Sequence, residues 1–173
     1  NAARVQQLCE KALSFRDDAH QIPTTAAVCV YPPFAAQAKA ILKDTDLNVA
    51  CVAGAFPAGQ SPIEIKIAEV AYAVAQGADE IDMVISRGKF LEGDYQTVYD
   101  EIAAIKAACG HAHLKVILET GELGTADNIY KASQIAIAAG ADFIKTSTGK
   151  IKVNATPESF LVMLDAIKEN YEK

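Results

Sequence analysis

Positive charge is scarce in this chain. Its 173 residues hold 16 Lys and Arg against 22 Asp and Glu, a net charge of −6. That balance argues against a broad basic surface for nucleic acid and leaves room only for a local positive pocket. No run of 18 apolar residues is present, so no membrane-spanning helix is expected. The four cysteines (Cys9, Cys29, Cys51, Cys109) show no Cys-x-x-Cys spacing, and the three histidines (His20, His111, His113) form no ligand pattern with them. No metal site is therefore expected, and the thiols read as free in a reducing cytoplasm. Cys29 and Cys51 lie in apolar runs and by default belong to the core, while His111 and His113 read as surface loop residues. No Gly-x-Gly-x-x-Gly turn follows the first expected strand, and the P-loop spacing is missing. Linkers and low-complexity stretches are absent too. The chain opens Asn1-Ala2-Ala3-Arg4, without methionine or a leader-like segment, so a trimmed or partial chain is expected.

What is present is a core's worth of apolar sequence, 51% hydrophobic and 22% charged, of a length that suits one domain spanning residues 1–173. Short Val/Ile/Ala-rich runs alternate with longer amphipathic ones. Strands are expected near Ala26–Tyr31, Val49–Ala53, Glu80–Ile85, Leu114–Glu119 and Asp142–Ser147. Most are apolar on both faces, as parallel strands under helices are. Helices are expected over Ala2–Ser14, Pro33–Lys43, Tyr95–Ala108 and Ala126–Ala139. Another follows the capping-box spacing Ser61-Pro62-Ile63-Glu64, with Ile63, Ile67, Val70, Ala71 and Val74 on one stripe and Gly77 as its stop. A last one opens at Thr156-Pro157-Glu158 and presents Phe160, Leu164 and Ile167. Repeated βα units leave two architectures: a doubly wound sheet, or an incomplete (β/α)8 barrel.

One internal repeat stands out. Gln76-Gly77-Ala78-Asp79-Glu80-Ile81-Asp82 parallels Ala139-Gly140-Ala141-Asp142-Phe143-Ile144-Lys145, so Asp82 and Lys145 hold equivalent places. Charges in such strands are costly if unpaired. Here Glu80 and Asp82 share one strand, Lys115 and Glu119 another, and Lys145 lies in a third, each set on one parity. A polar barrel lumen accounts for this; salt-bridged strand ends are the plainer alternative. In a barrel, alternate strands feed the same layer, which would bring Asp82 and Lys145 together. An amine beside a carboxylate suits Schiff-base chemistry, the lysine as nucleophile and the acid moving protons. The obstacle is the proton: an ordinary lysine is neutral in roughly one molecule in 2,500 at pH 7. Desolvation or a second cation must help, and Lys115 is one cation at hand.

The stretch Thr146-Ser147-Thr148-Gly149-Lys150 then offers hydroxyls, a glycine turn and a lysine, which together suit a phosphate. From Asp142 to Lys150 the sequence resembles the deoxyribose-phosphate aldolase family of class I aldolases. The resemblance extends to Ala26–Pro32, Gly77–Asp82, Lys115–Leu123 and Val153–Ser159, in family order. It implies a (β/α)8 barrel of which strands two to six are visible, the first, seventh and eighth lying outside this chain. It further implies reversible cleavage of 2-deoxyribose 5-phosphate to glyceraldehyde 3-phosphate and acetaldehyde, with no metal or organic cofactor.

By the same resemblance Lys145 forms the imine, Asp82 relays protons, Gly149 and Lys150 contact phosphate, Thr148 lies beside the sugar, and Cys29 is a thiol near the substrate. Lys115 and Glu80 are supporting lumen charges. The family's second active-site lysine and its Gly-Ala-Ser-Ser phosphate loop fall beyond Lys173, so this chain alone is expected to be inactive or weakened. A cytoplasmic homo-oligomer, a dimer favoured, binding a phosphorylated sugar but neither nucleic acid nor membrane, completes the expectation. Two other readings stay open: a Schiff-base barrel aldolase for a different phosphorylated sugar, and a non-catalytic partial barrel that binds a phosphometabolite.

Overall fold

The alternating pattern folds into successive βα units. The computed structural model describes residues 2–15 and 17–172; the expected domain bounds Asn1 and Lys173 lie outside the described residues. In chain order the elements are α1 (Ala2–Leu13), β1 (Ala27–Val30), α2 (Ala35–Ile41), β2 (Asn48–Val52), α3 (Ile63–Ala75), β3 (Glu80–Val84), α4 (Arg87–Leu91), α5 (Tyr95–Cys109), β4 (His113–Ile117), α6 (Ala126–Ala138), β5 (Phe143–Lys145) and α7 (Pro157–Tyr171). The strands form one sheet in the order β1-β2-β3-β4-β5, every pair parallel. A doubly wound sheet reverses its order at a switch point; this one never does, and so it is barrel wall. No helix among the described residues is long and apolar enough to cross a membrane.

One face of the sheet packs under the helices. Val28, Val49, Cys51, Ile81, Met83, Leu114 and Val116 are buried there with Val70 of α3, Ile102 and Ile105 of α5, and Ala136 of α6 in one apolar cluster. Each fully buried Val, Ile or Leu contributes about 1.5–3 kcal/mol, so this face fixes the strand parity. The opposite face is left to Cys29, Glu80, Asp82, Lys115 and Lys145.

The repeat proves to be scaffolding. Gly77 and Gly140 both stop a helix at φ +94°, where a glycine is needed. Asp79 then accepts the Val49 backbone N–H (2.8 Å) and pairs with Lys39 of α2 (2.6 Å). Asp142 does the same for the Leu114 N–H (2.7 Å) and Lys106 of α5 (2.5 Å). Each aspartate thus ties the start of its own strand to its neighbour and to a covering helix.

Several local expectations need correction. Helix α3 is capped by Pro62, whose extended backbone (ψ 145°) lies outside the helix, and no side chain caps it. The helix therefore starts one residue late, and Ser61 and Glu64 lose the capping-box spacing. Its buried stripe is Lys66, Val70 and Ala73; Ala71 is exposed. In α7 the buried residues are Ser159, Met163 and Ala166, while Phe160 and Leu164 are 54% and 40% exposed. The helix does open at Thr156, where a capping box forms between Thr156 and Ser159. Pro32 and Pro33 lead through a 3₁₀ turn, which delays α2 to Ala35. His113 is the first residue of β4 rather than a loop residue, and the five-residue α4 has no counterpart in the expected elements.

Candidate active site

The inner face of the sheet gathers the charges that the strand sequences carry. Ladder register sets Asp82 opposite Lys115, and Lys115 opposite Phe143. Lys145 is thus two residues ahead of Asp82 across two strands. A stagger of one residue per strand is what eight strands of shear eight require, so the two belong to one layer. They meet: Lys145 Nζ donates to Asp82 Oδ2 at 2.6 Å. Asp82 is 1% exposed at its side chain and Lys145 41%, so the amine reaches from the open face onto a buried acid. The second carboxylate oxygen, Asp82 Oδ1, has no hydrogen-bond partner among the described residues.

Lys115 shares the Asp82 carboxylate with Lys145 but has Glu80 as its nearer partner. Its ammonium binds Glu80 and approaches Asp82 only to 3.9 Å. Glu80 in turn accepts from Asn48 Nδ2 at 2.9 Å. The reason is depth: Glu80 is one inward position below Asp82 on β3, and the ammonium of Lys115 turns down to it. Two acids and two lysines therefore alternate on this face.

Cys29 is another correction. It faces the same side as these charges and is exposed rather than packed in the core, whereas Cys51, on the opposite parity, is fully buried. Burial by the surrounding chain still pushes the Cys29 thiol up, reinforced by the Asp82 charge and opposed by Lys145 and Lys115. Burial likewise pushes the Cys51 thiol up to about 12. Both stay protonated at neutral pH.

Beyond β5 the loop turns at Gly149 (φ +77°). Thr148 is held on both of its polar groups. Its N–H donates to Glu119 Oε1 (3.1 Å) and its hydroxyl to Glu119 Oε2 (2.5 Å), while the same hydroxyl accepts the Lys150 N–H (3.0 Å). Lys150 is exposed.

Glu119 itself departs from expectation. It follows β4 in a left-handed conformation (φ +58°, ψ 57°), fully buried, and binds Thr148 and Arg87 instead of the lumen lysines. Arg87 and the buried Lys66 are site neighbours that sequence reasoning passed over. Lys66 sits in the apolar stripe at the i, i+4, i+7 places it shares with Val70 and Ala73, and that placement was its available signal.

Parallel strands with an amine on a buried carboxylate, at the inner face of a barrel wall, define a barrel protein of the lysine-bearing kind. Residues 2–172 match the model of the DeoC/LacD family aldolase, and the chain belongs to that family. It is 49% identical over 182 residues to the deoxyribose-phosphate aldolase of Homo sapiens, covering 99% of this chain and 57% of that one. It is 46% identical over 172 residues to the same-named protein of Agrobacterium fabrum, covering 98% and 64%. The chain thus spans a little over half the length of these curated relatives.

Among solved structures, "QR15, an Aldolase" superposes with a TM-score of 0.85 at 33% identity, over 97% of this chain and 71% of that one. The deoxyribose phosphate aldolase of Aeropyrum pernix, described as tetrameric, gives 0.80 at 26% identity, over 98% and 67%.

Proposed function

We propose that the protein is a Schiff-base aldolase that cleaves 2-deoxyribose 5-phosphate to glyceraldehyde 3-phosphate and acetaldehyde. The observation that carries this is the 2.6 Å contact of Lys145 Nζ with buried Asp82 on the inner face of an aldolase-family barrel wall. The amine nitrogen adds to the C1 aldehyde of the open-chain sugar, and loss of water gives the imine. Removal of the C3 hydroxyl proton then breaks the C2–C3 bond. Glyceraldehyde 3-phosphate leaves, and the electron pair passes into an enamine through the imine nitrogen. Protonation at C2 and addition of water release acetaldehyde and restore the amine. Asp82 Oδ2 is within reach to take and return protons at the nitrogen.

In this reading Thr148, Gly149 and Lys150 flank the sugar and the phosphate, and Cys29 lines the approach. Lys115 and Glu80 fix the charge pattern beneath Asp82. Residues 1–173 act as one domain of barrel wall, and no metal or organic cofactor takes part. The protein works in the cytoplasm as a homo-oligomer, a dimer being the simplest form, which light scattering on the purified gene product would check.

The functional test is chemical trapping. Acetaldehyde with sodium borohydride should leave an N-ethyl group on Lys145, located by peptide mass spectrometry. An adduct confined to other lysines would sink the proposal. A panel of phosphorylated sugars with and without the 2-hydroxyl fixes the substrate.

A further inference from the structure

We infer that Arg87 and Glu119 form a positioning pair that sets the shape of the loop after Lys145 and so tunes recognition of the substrate's phosphate. The inference rests on the proposed aldolase function and assigns to it two residues outside the reacting centre. It starts from a strain. Glu119 adopts φ +58°, a conformation that costs a non-glycine residue roughly 1–2 kcal/mol, and it does so fully buried.

The ladder shows what the strain achieves. Leu118 N–H donates to the Lys145 carbonyl, and Thr120 N–H donates to the Thr146 carbonyl, both at 2.9 Å. Two residues advance on the β4 side while one advances on the β5 side, so Glu119 is the extra residue of a bulge. Bulges re-aim side chains beside functional sites. Here the re-aimed carboxylate leaves the lumen set and grips the Thr148 N–H and hydroxyl.

Those two contacts and the Lys150 N–H bond to Thr148 Oγ1 fix the turn from Thr148 to Lys150. Bound by Glu119 and Thr148, these groups are taken up within the turn, whose exposed residues are Gly149 and Lys150.

Arg87 supplies the counter-charge and extends the grip. Its Nη1 lies 3.3 Å from Glu119 Oε2 and 2.9 Å from Glu122, and its Nη2 donates to the Ala58 carbonyl at 3.3 Å. Ala58, Arg87, Glu119 and Thr148 come from the four successive segments that follow β2, β3, β4 and β5, Arg87 being the first residue of α4. One guanidinium and one carboxylate therefore tie four segments of the face on which Lys145 opens. The residue before Arg87 is anchored as well: Ser86 Oγ donates to Glu101 (2.6 Å) and accepts from the fully buried Lys66 (2.9 Å). The fork is thus held from behind as well as in front.

Glu119→Gln keeps the shape but replaces one acceptor oxygen by an NH₂, which must face either the Thr148 N–H or the Thr148 hydroxyl and Arg87. Arg87→Lys keeps the charge and loses the fork, and serves if the glutamine variant does not fold. In the gene product as expressed, either change should lower kcat/KM for 2-deoxyribose 5-phosphate about 10- to 100-fold. Cleavage of unphosphorylated 2-deoxyribose should fall by less than about threefold. Amide exchange at Thr148 and Lys150 should quicken in the same variants.

Equal losses on both substrates, or none, would overturn the pair's role, since a merely structural residue weakens both alike. If the unaltered protein gives no Lys145 adduct and cleaves neither sugar, it is the aldolase reading that fails. Amide exchange then decides the pair alone, and unchanged exchange in Glu119→Gln rejects it.

Discussion

At Gly77-Ala78-Asp79 and again at Gly140-Ala141-Asp142 the chain meets one mechanical problem: a helix must stop and hand over to a parallel strand. It uses the same parts both times. The glycines share φ +94°, and both aspartates cap a backbone N–H of the preceding strand while holding a lysine from a covering helix. Three residues past each aspartate, the copies diverge into Asp82 and Lys145, which touch. Duplicated scaffolding places two different chemical groups in one layer, so the scaffold and the chemistry can be broken separately.

The largest effect should come from the chemistry. Lys145→Ala removes the only atom in the pair able to form an imine. It should cut turnover by at least about 10⁴-fold, and it should also lower the midpoint of thermal unfolding, because buried Asp82 loses the ammonium that pairs with it. Retained borohydride trapping in that variant would show that some other lysine reacts. Asp82→Asn comes next. The amide keeps the volume but cannot accept and return a proton, and turnover should fall by about 10²- to 10⁴-fold. Single-turnover kinetics would assign the loss to proton-transfer steps. A loss confined to KM would mean that Asp82 only helps bind the sugar.

Much of this comparison was legible in the sequence, because charges interrupt strands that are otherwise apolar and the repeat sets their phase. Asp82 and Lys145 announced themselves in that way. That Lys115 sits closer to Glu80 than to Asp82 is not legible, since parity tells which face a residue takes but not which neighbour a long side chain selects. Glu119 was unreadable for a sharper reason. Nothing in Leu118-Glu119-Thr120 marks a left-handed residue, and alternation counted from Lys115 assigned it to the lumen. Arg87 opens a helix of five residues, too short to display a period. Phe160 and Leu164 are apolar and exposed, so apolar spacing alone misjudged the buried face of α7.

The scaffold should respond more evenly. Asp79→Ala leaves the Val49 N–H without its acceptor and Asp142→Ala does so for Leu114, both in residues that are fully buried. Each should cost about 1–3 kcal/mol of unfolding free energy, measured by urea denaturation. The two losses should agree within about 1 kcal/mol if the copies are mechanically equivalent. A wide disparity would mean that one copy leans on contacts the other lacks.

The smallest effect is a pH dependence at Asp142. Burial alone would raise the Asp142 carboxyl, but hydrogen bonds from Lys106 and the Leu114 N–H, with the Lys106 charge, outweigh it and hold the group below the usual carboxylate range. A folded value below the unfolded one means that the carboxylate stabilises the fold fully above the ordinary aspartate value, about 3.9. That contribution fades as pH falls through the depressed folded value. The gap in urea midpoint between the unaltered protein and Asp142→Asn should thus be constant above about pH 5 and close below about pH 4. A gap that persists into strong acid would show that Asp142 acts through its shape and neutral hydrogen bonds. The charge of Lys106 would then contribute nothing to the junction of β4 and β5.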